Sequence, residues 1–496
     1  MANQDKWKVF TVNDAIIYIG SFGRYQKIVD IIIALVIFLI SSQPFVMYFA
    51  TLEPSWRCHS NHSICFGNED KKAASTRCRM PHEQWYFTEQ KSFSLITWFD
   101  ISCNEQWILG TVSAAFFVGT AAGAIIIGRL SDGFGRKITL LPSVVFLSMI
   151  SVLLVFMPGI YYVVVCRLFV GFFYGGIMIQ LTVIISEIVG PSHRSVAIFI
   201  PFLFYPIGAC VLSLKAYMLK DWRMICIVCT VPYFIIFLCS CYFIQESPVW
   251  LVEKGRSAEA KEIIRQMASH NKVNLPYEFT LTIDSKSDPA GITTLPQSTI
   301  QIIINILIQC LIWCSTTVAF HGLNFAANKL PGNLYRNFSL LQAIEIPFAM
   351  CTIPFCNKFG RKATTLLPIF LSGTLCFVLA LFPDNENLDN IKVAVGLVGK
   401  ALVSIPFHTM WLWSSELFPV QYRSQGVGMM GSLSRISAAC APMLAGRIGV
   451  SFQIMFTVFG VPALLASLAG LKLPETYLKE KSTSSSEEES FLDGND

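Results

Sequence analysis

Residues 128–137 read Gly128-Arg-Leu-Ser-Asp132-Gly-Phe-Gly135-Arg136-Lys137, and residues 357–362 read Asn357-Lys-Phe-Gly360-Arg361-Lys362. The second stretch repeats the first at an offset of 225 residues, with asparagine where Asp132 stands. Another pair keeps step with it: Ser186-Glu187 followed by Arg194, and Ser415-Glu416 followed by Arg423, with an offset of 229 between the glutamates. Two polar motifs recurring at equivalent points indicate a duplicated unit.

The sequence around them shows what that unit is made of. Apolar runs lie near residues 28–50, 107–128, 138–157, 160–183, 195–219 and 224–245, then near 299–321, 336–356, 363–382, 391–414, 424–446 and 451–473. Each is long enough to cross about 30 Å of hydrocarbon as a helix, which satisfies its own backbone groups there. The expected fold class is an all-α membrane protein with twelve transmembrane helices in two pseudo-symmetric six-helix bundles. Composition agrees, because 53% of the 496 residues are hydrophobic and only 14% are charged, where a soluble domain carries roughly a quarter. A net charge of +5 is too mild and scattered for a nucleic-acid partner. No Gly-x-x-x-x-Gly-Lys-Ser/Thr, HExxH or Gly-x-Ser-x-Gly motif occurs, so no enzyme, cofactor or metal site is implied.

The expected organisation is a cytoplasmic N-terminus (1–27), an N-terminal bundle (28–245) with an extracellular loop at 51–106, a cytoplasmic loop (246–298), a C-terminal bundle (299–473) and a disordered cytoplasmic tail (474–496). Lys and Arg outside these runs number 20 on the side shared with both termini and 10 on the other, which places both ends in the cytoplasm. No apolar core precedes residue 28, so the first span is expected to act as the insertion signal. Within 246–298, Ala260, Ile263, Ile264 and Met267 fall at helical spacing and predict an amphipathic helix. The tail places Ser482 to Ser486 before Glu487 to Glu489, a polar stretch that buries nothing.

Of sixteen cysteines, Cys58, Cys65, Cys78 and Cys103 sit in the first hydrophilic loop. An even count there predicts two disulfides on an oxidising exterior, with three pairings open. The loop also carries the glycosylation sequon Asn61-His62-Ser63, a better acceptor than Asn337-Phe338-Ser339 beside a membrane helix.

With these features in place, Gly128 to Lys137 resembles the loop motif of the major facilitator superfamily. Further stretches resemble its organic cation, organic anion and carnitine transporter family: Gly20-Ser-Phe-Gly23-Arg24-Tyr-Gln26, Asp221-Trp222-Arg223, Glu246-Ser247-Pro248-Val-Trp250-Leu251, Gly332-Asn333 with Glu345-Ile-Pro347, and Ser415-Glu416-Leu-Phe-Pro419 with Arg423. The resemblance covers about residues 18–476. It implies a secondary transporter of small organic ions in the plasma membrane, working by alternating access. It also implies that Asp132, Arg136, Glu187 and Arg194, with Arg361, Glu416 and Arg423 in the second half, act as gating latches, and that Arg167 is the gating or structural arginine of the fourth span. Asn357 makes the second latch the weaker.

Arg167, Glu345, Lys400 and Arg435 fall inside apolar spans, and each charge at a helix centre costs about 2.5–3.5 kcal/mol on insertion scales. They are therefore expected to face the bundle interior or a water-filled cavity, where Glu345 neutralises one of the cations. In the resembling family, the position of Arg435 is acidic in the cation branch and arginine in the anion and carnitine-type branches. A guanidinium holds a carboxylate through two parallel bonds. Arg435, Lys400 and Glu345, with aromatic walls from Tyr205, Phe320, His321, Phe407 and Trp411, form the expected substrate site. The expected substrate is an organic anion or a carboxylate-bearing zwitterion such as carnitine, against the alternatives of a polyspecific cation uniporter or a non-transporting sensor. Membrane lipids and a coupling or exchange ion complete the expected partners.

Overall fold

The computed structural model describes residues 9–58, 78, 84–276, 279–282, 299–383, 388–418, 423–445 and 451–476. Asn61, Cys65 and the serine-rich tail lie outside these residues.

The chain is built of helices. In the first half α1 (Val12–Tyr18), α2 (Arg24–Ile40), α3 (Val46–Ala50) and α4 (Leu95–Phe99) precede α5 (Trp107–Phe134), α6 (Arg136–Leu153), α7 (Ile160–Ile188), α8 (Arg194–Leu219), α9 (Trp222–Thr230) and α10 (Pro232–Phe243). Two helices follow in the connecting segment, α11 (Pro248–Glu253) and α12 (Ser257–Asn271). The second half holds α13 (Thr299–Phe325), α14 (Leu334–Ala343), α15 (Glu345–Phe359), α16 (Arg361–Leu381), α17 (Asp389–Leu417), α18 (Arg423–Ala438), α19 (Cys440–Ala445) and α20 (Phe452–Gly470).

Among the described residues, ten helical segments are long and apolar enough to span a membrane. The other two expected spans are interrupted, for reasons visible in their sequence. The first stops at Ser41, where the hydroxyls of Ser41 and Ser42 bond back to the carbonyls of Phe38 and Leu39 at 2.7 and 2.9 Å. Pro44 then removes a backbone donor before α3 resumes. The eleventh is rich in glycine and serine and breaks at Ala439, one turn ahead of Pro442, whose ring is incompatible with the carbonyl four residues earlier.

The chain divides into two compact units. One comprises Met1–Phe45, Gly119–Leu212 and Arg223–Gln297; the other comprises Val46–Val118, Ser213–Trp222 and Ser298–Asp496. In the first unit α2 packs on α7 and α10, and α6 packs on α7 and α10. The expected amphipathic helix is α12, which buries Ala260, Ile264 and Met267. Its last residue ties it to α2: Asn271 accepts the Tyr25 N–H at 2.9 Å and donates to the Ile19 carbonyl and Gln26 at 2.9 and 3.0 Å. Beside it, β1 (Val9–Thr11) pairs in parallel with β4 (Thr280–Thr282). On the open face of the connecting segment, Arg256 forks onto Glu259 and holds its carboxyl below the usual value.

In the second unit α16 packs on α17 and α20, around a core that includes Ile312, Leu366, Ile369 and Trp413. Strands β2 (Trp56–Cys58) and β3 (Trp85–Phe87) form an antiparallel ribbon in the loop after α3. Cys78 is bonded to Cys103 and Cys58 is also in a disulfide. Within the same unit Phe49 stacks on Tyr335 at 5.8 Å and Tyr48 on Phe338 at 5.6 Å. Asn337 is fully buried there and donates to the carbonyls of Leu330 and Pro331, so the second sequon is closed to modification.

Candidate functional site

The repeated motif builds the same device in each unit. Gly135 has φ/ψ of 115°/156° and Gly360 of 82°/172°, a region essentially reserved for glycine. A Cβ at either would lie 2.5 Å from the Glu246 carboxylate or 2.6 Å from that of Glu475. These turns let the glutamates reach the first backbone N–H groups of α6 and α16. Glu246 accepts the backbone N–H groups of Arg136 (2.7 Å) and Lys137 (3.2 Å), and Glu475 accepts those of Arg361 (2.9 Å) and Lys362 (3.0 Å). A carboxylate at a helix N-terminus satisfies orphan donors and complements the dipole.

The arginine side chains then diverge. Arg136 forks onto both oxygens of Glu187, at 3.1 and 2.9 Å, and reaches Asp132 at 3.0 Å and the Ser131 carbonyl at 2.9 Å. Trp250 of α11 fixes the same turn by donating to the Asp132 carbonyl at 3.0 Å. Arg361 donates to one oxygen of Glu416 at 3.2 Å and to the Cys356 carbonyl at 3.2 Å, and lies 3.5 Å from Asn357. The other Glu416 oxygen accepts the Thr476 hydroxyl.

Of the other latch residues, Arg194 opens α8 and donates to Asn13 at 3.4 Å. Arg423 opens α18, and its side chain lies outside the described residues. Arg167, expected to be a gating or structural arginine, sits apart from the Arg136 cluster. It is 1% exposed and donates to the Gln43 carbonyl at 2.8 Å and the Gln43 side chain at 3.3 Å, bracing the interruption after α2. Some twenty residues of helix at 1.5 Å rise separate it from Glu187.

The second unit gathers most of the expected substrate residues. Lys400 lies 3.1 Å from Glu345, with both side chains buried, and 3.1 Å above the Phe320 ring. Phe407 stacks on Phe320 at 4.0 Å, and His321 meets Phe117 edge-on at 4.9 Å. A turn along α17 from Phe407, Trp411 meets Trp313 at 4.6 Å, with the half-buried Arg435 guanidinium 6.0 Å from its ring. Tyr205 belongs to the first unit, where it meets Phe45 edge-on at 6.3 Å.

Sequence reasoning missed Glu246 and Glu475 as caps, although they share the 229-residue offset of Glu187 and Glu416. It also passed over Gln43, and Asp30, a carboxyl 4% exposed on α2 with one oxygen that has no hydrogen-bond partner. Asp30 was readable as the single acid within an apolar run.

Paired arginine–carboxylate clusters, membrane-spanning helices in two halves and ionisable groups inside the spans fit a multi-pass secondary transporter of the major facilitator class. The family described as sugar (and other) transporter matches residues 65–479, and the chain belongs to it. Its sequence is 27% identical to the organic cation/carnitine transporter 4 of Arabidopsis thaliana, over 93% of this chain and 88% of that protein. Solute carrier family 22 member 3 of Rattus norvegicus is 28% identical over 79% of this chain and 72% of its own. Among solved structures, the inward-open xylose transporter of E. coli matches with a TM-score of 0.63 at 16% identity, covering 90% of this chain and 96% of that one, a likeness of fold alone. The chain is thus a transporter of small organic solutes and not an enzyme.

Proposed function

We propose that this transporter moves organic anions or carboxylate-bearing zwitterions such as carnitine across the plasma membrane, with both termini in the cytoplasm and the latches of the two halves engaging and releasing as access alternates. The observation that carries this reading is the 3.1 Å contact of Glu345 with Lys400. The acid that a cation would need is already answered by a lysine, which itself rests on Phe320. Arg435 then brings the sum of Glu345, Lys400 and Arg435 to +1, beside aromatic faces that hold an organic body without strict geometry.

Energetics constrain the coupling. Moving one charge against 100 mV costs about 2.3 kcal/mol, roughly fiftyfold in distribution. An anion therefore calls for exchange or a coupling ion, whereas a zwitterion does not. Uptake of carnitine, a dicarboxylate, urate and tetraethylammonium into cells, with and without sodium, tests the assignment. Arg435→Asp is expected to cut carboxylate uptake at least tenfold, because a bidentate charge-assisted contact is replaced by repulsion. Wild-type uptake dominated by tetraethylammonium and indifferent to Arg435→Asp would overturn it. That outcome would favour the second reading, a polyspecific cation uniporter, to which the names of the relatives and the Phe320, Phe407 and Trp411 rings lend support.

A further inference from the structure

Two carboxamides stand out beside the charge cluster. Asn324 of α13 and Gln342 of α14 are both 0% exposed, and the nitrogen and oxygen of each lack a hydrogen-bond partner among the described residues. Buried polar groups are ordinarily satisfied, so four unanswered atoms on neighbouring helices need an explanation. Their register supplies it. Asn324 lies three residues after His321 and four after Phe320, on the same helical face as both. Gln342 lies three residues before Glu345, the partner of Lys400. Lys400 sits above Phe320, so sequence spacing brings Asn324 within about one turn of one member of this cluster and Gln342 within three residues of another.

We infer that Asn324 and Gln342 form a neutral hydrogen-bonding subsite that recognises a hydroxyl on the transported solute. A carboxamide offers a donor and an acceptor at once, and a hydroxyl is the small group that answers both. Such a pair adds no charge, so it selects among carboxylates without altering the attraction that draws them. This rests on the carboxylate reading proposed above and goes beyond it by naming the second group of the substrate.

The test compares solutes differing by one hydroxyl: L-carnitine with γ-butyrobetaine, and 3-hydroxybutyrate with butyrate. Initial uptake is measured in cells and normalised to surface protein. The wild type is expected to favour the hydroxylated member of at least one pair by about three- to tenfold in Vmax/KM, the range for one neutral hydrogen bond. Asn324→Leu and Gln342→Leu should each remove that preference by raising the KM of the hydroxylated solute, leaving the deoxy solute within about twofold. Should a leucine variant fail to reach the surface, Asn324→Ser and Gln342→Met take its place. Wild-type uptake of both members with equal efficiency overturns the subsite and leaves the carboxylate reading standing, as do variants that lose both members equally. Uptake of neither pair, with robust tetraethylammonium uptake, overturns the carboxylate reading and the subsite together.

Discussion

The two arginine–glutamate clusters proposed as latches share a scaffold and differ in electrostatics. Both turn on a glycine at positive φ, and both cap a helix with a glutamate from a segment more than 100 residues further on. Both arginines also donate to the carbonyl five residues earlier, Ser131 or Cys356. Yet Arg136 forks onto both oxygens of Glu187 and pairs with Asp132, while Arg361 bonds Glu416 at 3.2 Å, shares it with a threonine, and has the amide of Asn357 at 3.5 Å where Asp132 stands in the first half. Duplication preserved the parts that shape the backbone and let the charge contacts drift. Backbone geometry tolerates few residues, whereas an exposed ion pair contributes little and is easily lost.

The largest effect that tests this difference is removal of the arginines. Arg136→Ala leaves the half-buried Glu187 without its bidentate partner and should cost about 1–3 kcal/mol, seen as loss of folded protein at the surface and of thermal stability in detergent. Arg361→Ala should cost less, because Thr476 still donates to Glu416; equal losses would break the comparison. Next, Gly135→Ala and Gly360→Ala should lower stability alike, by about 1–3 kcal/mol each, since backbone and carboxylate meet the same way in both units. A one-sided result would show that only one turn is rigid. Smallest is Asp132→Asn. The Asp132 side chain is 75% exposed, so its pair with Arg136 contributes below about 1 kcal/mol. Transport should slow modestly with surface delivery unchanged, and Asn357→Asp should strengthen the second latch. Loss of Asp132→Asn from the surface would contradict that.

The apolar runs disclosed the helical membrane fold, and the 225- and 229-residue offsets disclosed the duplication, because both are periodic signals. Two interruptions were missed. Hydropathy averages over Ser41 to Pro44 and over Gly426 to Ala439, whereas helix continuity depends on single donors and rings. The caps made by Glu246 and Glu475 escaped for another reason: a carboxylate that reaches a helix start over 100 residues away leaves no local pattern. Which cation answers Glu345 was likewise undecidable, since Lys400 and Arg435 lie on different helices and only packing brings Lys400 to it.

The parallel ribbon of β1 and β4 joins strands about 270 residues apart, with Val9 opposite Thr280. On the ribosome, at roughly 5–20 residues per second, the first of these strands is complete well over ten seconds before its mate exists. Those leading residues must therefore stay unpaired while every membrane segment of the first half is being threaded. Closing the ribbon then marks the moment at which that half has been fully delivered.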